Sequence, residues 1–186
     1  MRNSGNTGLA PEKMLMAAVY SLVGAGIFFA VPAVRAESVG KGPMEIKSSE
    51  FGQNRMIPDK FSCRGINVNP RILIDHVPAG AKTLALIVDD PDAPVGVWSH
   101  WIVFDMPVVS EIRENTVPGK LGTNSFGVTP YRGPCPPTGT HRYFFKLYAL
   151  DSALGLTEGV SREKLEKAME GHILAKAELV GLFKKS

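Results

Sequence analysis

The chain lacks the sequence features that mark several common protein classes. It has only two cysteines. Its formal net charge is only +3, and its Lys and Arg residues form no dense run. Nucleic-acid binding relies on clustered positive charge, so this distribution argues against it. No internal repeat, heptad pattern or Gly-x-Ser-x-Gly motif occurs, which excludes repeat arrays, coiled coils and the nucleophile elbow of α/β-hydrolases.

The composition that is present is typical of a β-rich domain. Hydrophobic residues make up 44% of the 186 positions, which is enough for one well-formed core. Fourteen prolines and 19 glycines are spread among short apolar runs, and this pattern favours short strands joined by turns over a helical bundle. We therefore predict one all-β domain, a β-sandwich of antiparallel sheets with a C-terminal helix packed on it.

The N-terminal part of the chain resembles an export signal. A basic residue precedes the apolar run from Met14 to Val31, and small residues follow it. This order is typical of a secretory signal peptide, although about 18 apolar residues would also serve as an uncleaved membrane anchor. We predict a signal peptide at 1–36, a linker at 37–43 and a domain at 44–186, with a periplasmic or secreted location.

Both cysteines, Cys63 and Cys135, lie in the part predicted to be exported. An oxidising compartment would allow a disulfide between them, but the sequence alone does not say whether they are close in space. A disulfide and a pair of structural thiols therefore both stay open. The segment Pro134-Cys135-Pro136-Pro137 offers no metal-ligand spacing.

Alternation of apolar and polar residues predicts most of the strands. We expect strands at 44–47, 71–75, 83–89, 99–106, 142–150 and 175–183, with one further short strand in the turn-rich segment 51–70. Ser161 is the predicted N-cap of an amphipathic helix before the final strand. The segment 107–140 is rich in Pro and Gly, and an irregular stretch of this length is usually functional.

Ionisable side chains extend the apolar stripes of three predicted strands. Period-two counting gives these stripes as Leu84, Leu86, Val88 and Asp90; Trp98, His100, Ile102 and Phe104; and His141, Tyr143, Phe145, Leu147 and Ala149. Side chains at the ends of strands can be half buried and still reach a ligand. We therefore expect Asp90, His100 and His141 to face a common hollow.

The residues at these strand ends are those of a small anion pocket. They are Asp90, Asp92, His100, His141 and Tyr143. An imidazolium and a phenol hydroxyl donate to phosphate or carboxylate oxygens, and a nearby carboxylate keeps a histidine charged. We predict that the two histidines are donors and that Asp90 is the acceptor that orients them.

Other interpretations stay open for the same residues. Asp90-Pro91-Asp92 also fits an Asx-type turn, and a lone histidine such as His100 is more often a hydrogen-bonded residue at the edge of a core. Two histidines and a carboxylate are a recognised iron-site set, although no closely spaced ligand pair is present. A phosphoester hydrolase would need a nucleophile, for which Ser125 is a weak candidate.

Two segments resemble the phosphatidylethanolamine-binding protein family, and more closely its bacterial, Raf kinase inhibitor-like branch. The first is Asp90-Pro91-Asp92-Ala93-Pro94, followed by His100. The second runs from Tyr131 to Pro137 and leads into Gly139-Thr140-His141-Arg142-Tyr143. The resemblance extends from about Met44 to Phe183, which is nearly all of the predicted domain.

This resemblance implies a Greek-key β-sandwich with a pocket at one end for phosphate-type anions or phospholipid headgroups. It implies neither a cofactor nor a catalytic residue. Arg142 points away from the Asp90 face, so we expect it to have a structural role. Carried over position by position, the pocket consists of Asp90, Asp92, His100, Pro134, His141 and Tyr143. The resemblance also implies inhibition of a kinase or protease by surface contact, and a homodimer by analogy. In the alternative, the pocket anchors an acidic or phosphorylated side chain of a partner protein.

Overall fold

The computed structural model describes residues 42–184. Within this range lie nine β-strands and one α-helix, in the order β1 (Glu45–Ser48), β2 (Arg55–Met56), β3 (Ile72–Asp75), β4 (Thr83–Asp90), β5 (Trp98–Met106), β6 (Glu111–Ile112), β7 (Lys120–Leu121), β8 (Thr140–Leu150), α1 (Arg162–Met169) and β9 (Ile173–Lys184). The predicted signal peptide and most of the predicted linker lie outside the described residues. No helix in this range has the length and apolar character needed to cross a membrane.

The positions of the longer predicted strands are confirmed. The strands expected at 83–89, 99–106, 142–150 and 175–183 correspond to β4, β5, β8 and β9, each within a few residues at its ends. The irregular segment 107–140 contains the unpredicted strands β6 and β7. Each has two residues, and two residues are too few to show an alternating pattern.

The strands form two sheets. A three-stranded sheet has the order β1-β3-β6, and a six-stranded sheet has the order β2-β9-β8-β4-β5-β7. The prediction of purely antiparallel sheets is wrong at one edge, where β2 pairs with β9 in parallel. This short pairing is secured by two backbone hydrogen bonds, from Asn54 N to Val180 O and from Ile57 N to Leu182 O, each 2.7 Å. Greek-key connectivity stays a prediction.

The six-stranded sheet is covered on both faces, which explains why β4 is an almost continuous apolar run. On one face, Leu84, Leu86 and Val88 join a larger core that also contains residues of the three-stranded sheet. On the other face, Ala85 and Ile87 pack in a smaller core with apolar residues of α1. Burial on both sides therefore replaces the polar-apolar alternation of a half-exposed strand.

Helix α1 begins where the sequence predicts. The Ser161 hydroxyl accepts a hydrogen bond from the Lys164 backbone N–H, and this satisfies one of the free donors of the first turn. Leu165 and Met169, four residues apart, are buried against the sheet. The predicted C-terminal helix is thus confirmed, and β9 follows it.

A β-bulge in β5 changes the direction of its side chains just before the strand enters the core. Val88 of β4 pairs with Trp101, whereas the next residue, Asp89, pairs with Ser99. One residue of β4 is therefore matched by two on β5, and His100 lies at this extra position.

The bulge corrects the predicted stripe of β5. Ile102 and Phe104 pack in the smaller core beside α1. His100 instead stacks edge-on against Tyr143, which belongs to the larger core. The prediction that these three β5 residues share a face is wrong because the extra residue shifts the alternation by one position.

Candidate functional site

Three strand ends meet at one edge of the six-stranded sheet. β4 ends at Asp90, which pairs with Trp98 at the start of β5, and the antiparallel β8 begins beside it. Nδ1 of His141 in β8 lies 2.8 Å from Oδ2 of Asp90, and these side chains are 8% and 4% exposed. Because a carboxylate can only accept, Nδ1 of His141 carries the shared proton and Nε2 is left for another partner.

His100 is the second histidine at this edge. Its Nδ1 lies 2.6 Å from the carbonyl oxygen of Arg132, so this nitrogen donates. Burial lowers the pKa of His100, mainly because the charged imidazolium loses its hydration. The neutral form, with an unprotonated Nε2, is therefore favoured. Within residues 42–184, neither His100 nor His141 forms a hydrogen bond through Nε2.

Tyr143 lies beside both groups and is completely buried. Its hydroxyl is the one fully buried side-chain polar atom in the described part of the chain that has no hydrogen-bond partner. Burial first, and the negative charge of Asp90 second, raise the pKa of this hydroxyl. The Asp90 carboxylate and the Cys135 backbone are thus both near the phenol, but neither reaches the hydroxyl with the geometry of a hydrogen bond.

Asp92 faces a different partner from the one expected. Its carboxylate accepts from the Arg142 backbone N–H at 2.9 Å and from the guanidinium Nε and Nη2 at 2.9 and 2.6 Å. The guanidinium is the main reason that the pKa of Asp92 falls to about 2. Asp92 therefore attaches the turn after β4 to the start of β8, which also gives Arg142 the predicted structural role.

Asp90 has two hydrogen-bonding roles, and one of them confirms the predicted Asx-type turn. The Asp92 backbone N–H donates to Oδ1 of Asp90 at 2.9 Å, which is the hydrogen bond of an Asx turn. The other carboxylate oxygen of Asp90 is the one that bonds His141. A single carboxylate thus shapes the turn and orients the histidine.

Pro134 is buried in the loop that closes one side of the site. Its carbonyl accepts from the Cys63 backbone N–H at 3.1 Å. Cys63 and Cys135 are joined in a disulfide that spans 72 residues of sequence. A side chain at Gly133 would meet the Phe61 carbonyl at 2.0 Å, so only glycine fits there. The disulfide and this close contact hold the loop whose Arg132 carbonyl bonds His100.

Sequence reasoning missed a tight turn that also borders the site. Asn124, 4% exposed, donates to the carbonyls of His100 and Pro130 at 3.3 and 2.8 Å. Its Oδ1 accepts from the backbone N–H groups of Phe126 and Val128 at 3.0 and 3.3 Å. The signal was the Asn-x-x-Gly spacing, since Gly127 has a φ of +75° that favours glycine.

The turn presents Phe126 beside His100. The Phe126 ring is 43% exposed and lies edge-on to His100, with a centroid distance of 5.3 Å. It also lies edge-on to Trp98 at 5.5 Å. Ser125, the weak nucleophile candidate, accepts through Oγ from the Ser99 backbone N–H at 2.9 Å, which places it in the framework of the turn.

The residue before Asp90 faces the opposite side of the sheet. Asp89 is fully buried, accepts from the Ser99 hydroxyl at 2.8 Å and from Lys146 at 3.0 Å, and lies 3.5 Å from Arg162. This ionic cluster ties α1 to the sheet and is separate from the candidate site. In the described range, no group of three or more His, Cys, Asp or Glu side chains is arranged to hold a metal ion.

The fold and the site together define a β-rich domain with a buried Asp–His pair where three strand ends converge. The chain belongs to the phosphatidylethanolamine-binding protein family, whose model matches residues 47–184. The predicted membership is therefore confirmed. A UPF0098 protein of Methanothermobacter thermautotrophicus is 48% identical over 150 residues, covering 76% of this chain and 99% of that protein.

Solved structures are similar as well. A crystal structure of a phosphatidylethanolamine-binding protein homologue from Chlamydia trachomatis is 44% identical, with a TM-score of 0.75 over 77% of this chain and 99% of its own. The E. coli protein YbcL, described as a member of the mammalian family, is 26% identical, with a TM-score of 0.73 over 78% of this chain and 100% of its own. The predicted family fold is thus confirmed at the level of mostly strands with one helix.

Proposed function

We propose that the protein binds a small anion of the phosphate or carboxylate type at Asp90, His100, His141 and Tyr143, which we call the anion site. The observation that carries this proposal is the unpartnered hydroxyl of Tyr143. A buried polar group without a hydrogen bond costs about 1–3 kcal/mol, and a ligand oxygen would remove that cost. Two histidines without a hydrogen bond at Nε2 are close by: His100 stacks edge-on against Tyr143, and His141 bonds Asp90, which lies near the Tyr143 hydroxyl.

Each residue has a distinct task in this proposal. Asp90 accepts the Nδ1 proton of His141 and orients its ring, so that Nε2 faces the anion and donates to it when it carries a proton. Tyr143 donates its hydroxyl proton. His100 accepts a proton when the anion arrives, because a nearby negative charge opposes the effect of burial on its pKa. Asp92 and Pro134 stabilise the turn and the loop that border the site, and they make no direct contact with the ligand.

The proposal includes export to the periplasm or the extracellular space. The basic and apolar order of the first 36 residues supports it, and so does the Cys63–Cys135 disulfide, which is typical of oxidising compartments. Fractionation of cells that produce the full chain tests it, since a cytoplasmic and unprocessed product would contradict export. A homodimer, inhibition of a kinase or protease, a partner-anchoring role and phosphoester hydrolysis stay predictions.

Calorimetric titration of the protein with methyl phosphate, phosphate and acetate tests anion binding. His141→Gln keeps a donor for Asp90 but loses the second ring nitrogen, so we expect affinity to fall about tenfold or more, the effect of losing a charge-assisted hydrogen bond. The matched control is His172→Gln. Nδ1 of His172 also lies 2.8 Å from a carboxylate, that of Asp151. This pair is exposed and lies just beyond the end of β8 that is opposite to His141.

The two variants separate a site effect from a general loss of charge. Weaker binding in His141→Gln alone supports the proposal. Equal affinity in the two variants would exclude His141 as a donor, and no measurable binding to the unmodified protein would overturn the proposed function.

A further inference from the structure

The bulge in β5 decides which face of the six-stranded sheet His100 occupies. Residues paired across antiparallel strands carry their side chains on the same face. Without the bulge, the register of β4 and β5 would match Asp89 with His100, and the His100 ring would share the face of Asp89, opposite to the anion site. In the observed register Asp89 pairs with Ser99 instead, and His100, as the extra residue, points to Tyr143.

The side chains of Asp89 and Ser99 form a hydrogen bond across the two strands at the bulge. The Ser99 hydroxyl donates to Oδ1 of Asp89 at 2.8 Å, and these residues are 3% and 0% exposed. In the regular register Ser99 would pair with Asp90 and would lie on the other face from Asp89. The bond therefore belongs to the bulged register, and a hydrogen bond to a buried carboxylate is one of the strong ones.

Asp89 is fixed on the face of the sheet that α1 covers. Its Oδ2 accepts from Nζ of Lys146 at 3.0 Å and lies 3.5 Å from Nη2 of Arg162, the first residue of α1. These two cations compensate for the burial of the carboxylate charge. Oδ1 is left to accept from Ser99, so each oxygen of the carboxylate has its own partner.

The backbone of the bulge is bonded on its other edge to the loops beside the site. The Ser99 N–H donates to Oγ of Ser125 and the Ser99 carbonyl accepts from the Ser125 N–H, each at 2.9 Å. The His100 carbonyl accepts from the Arg132 N–H at 3.1 Å. These bonds attach β5 to the loops. The bond between Asp89 and Ser99 instead joins β5 to β4, where the register is decided.

We propose that Asp89 is a positioning residue of the anion site, because through the Ser99 hydroxyl it stabilises the bulge that turns His100 towards the ligand. Asp89 itself makes no contact with the ligand, since it faces the opposite side of the sheet. The effect on binding rests on the proposed anion site, whereas the effect on the His100 ring can be measured in the protein without a ligand.

The test compares side chains at position 99 that have or lack a hydroxyl. Ser99→Ala removes the donor to Asp89, and Ser99→Thr keeps it. Ser99→Val has the shape of Ser99→Thr without the hydroxyl, and both β-branched side chains suit a strand. The comparison of Ser99→Thr with Ser99→Val therefore decides the question even if Ser99→Ala does not fold.

The first readout is the proton NMR signal of the Nδ1–H group of His100 in the ligand-free protein. This group is buried and lies 2.6 Å from the Arg132 carbonyl oxygen, so its proton should exchange slowly and give a separate downfield signal. The signal is assigned by its loss in His100→Gln. We expect it to shift or disappear in Ser99→Ala and Ser99→Val and to be retained in Ser99→Thr.

The second readout is the affinity for methyl phosphate, measured by calorimetric titration of the same variants. Affinity should fall about tenfold in Ser99→Ala and Ser99→Val, the effect of losing one hydrogen bond to a charged ligand. Ser99→Thr should restore it. If the His100 signal is lost while affinity stays unchanged, the direction of the His100 ring has no effect on binding and the inference is refuted.

The matched control is Lys146→Met. Lys146 bonds the other oxygen of the same carboxylate, so this variant disturbs the buried charge but leaves the bond to Ser99 in place. It should lower stability and keep both the His100 signal and the affinity. Loss of the signal in Lys146→Met as well would assign the effect to general packing and would refute the positioning role.

The ligand-free measurement separates this inference from the proposed function. An unchanged His100 signal in both variants without the hydroxyl refutes the role of Asp89 and leaves the anion site standing. If the signal responds as expected but the unmodified protein binds no methyl phosphate, Asp89 still positions the His100 ring and the proposed function falls.

Discussion

Nδ1 of His141 and Oδ2 of Asp90 lie 2.8 Å apart, and both side chains are more than nine-tenths buried. The two residues are 51 positions apart in the chain. They meet because the antiparallel pairing of β4 and β8 brings the end of one strand to the start of the other. An ionisable pair shielded from water in this way stabilises the fold only while both partners remain.

Asp90→Ala should therefore destabilise the protein by about 3 kcal/mol, because His141 would be left buried without its acceptor. Urea unfolding at neutral pH measures this. Asp151→Ala is the control, since it breaks the exposed pair with His172 and should have almost no effect. Equal losses of stability in the two variants would show that burial of the Asp90 pair contributes nothing.

Tyr143→Phe should have opposite effects on binding and on stability. Removing a buried hydroxyl that has no partner should leave stability unchanged or raise it by up to about 1 kcal/mol, whereas affinity for methyl phosphate should fall. Tyr131→Phe is the control. Its hydroxyl donates to the Phe61 carbonyl at 2.9 Å, so its removal should cost about 1 kcal/mol. A comparable loss in Tyr143→Phe would mean that this hydroxyl is bonded within the protein.

The contribution of Asp92 should disappear in acid. Its pKa is lowered from 3.8 to about 2 by Arg142, so the folded protein holds the charged form more strongly than the unfolded chain does. The resulting stability is present above about pH 4 and is lost as the pH falls towards 2. Arg142 is more than half exposed, so we expect only about 1 kcal/mol.

Unfolding of the unmodified protein and of Asp92→Asn at several pH values checks this prediction. The difference in unfolding free energy should be largest near neutral pH and should vanish near pH 2. A difference that grows in acid would have the wrong sign for a carboxylate with a lowered pKa.

Loss of the disulfide should weaken both the fold and the site. Replacing Cys63 and Cys135 together by Ser opens a loop of 72 residues and should cost about 2–4 kcal/mol in a denaturant melt. Affinity for methyl phosphate should also fall, because the same loop carries the Arg132 carbonyl that orients His100. Unchanged affinity in a folded double variant would show that the loop keeps its position without the covalent bond.

Much of the site could be predicted from the sequence, for a local reason. Alternation in β8 is set by the backbone, and it placed His141 and Tyr143 on the inward face, where both are buried. The same counting failed in β5, since the bulge at His100 results from its pairing with β4 and leaves no mark in the alternation. His100 nevertheless reaches the site, with different neighbours from those predicted.

Asp92 illustrates the limit of composition as a guide to a pocket. A carboxylate two residues from Asp90 looks like a second ligand-facing group, but three hydrogen bonds from Arg142 occupy it. Which partner an Asp finds depends on the strand that lies next to it. The exposed position of Phe126 was missed for a related reason. It depends on the hydrogen bond that the Asn124 side chain donates to the His100 carbonyl in β5.

The sequence by itself determined the β-rich character, the helix after Ser161 and the order of residues along each strand, because propensity, capping and alternation act within a few residues of the chain. Tertiary structure decided the parallel edge of β2, the Cys63–Cys135 bond, the turn of Asp92 towards Arg142 and the exposure of Phe126. Each of these depends on contacts between segments far apart in the chain, and such contacts form only once the sheets have packed.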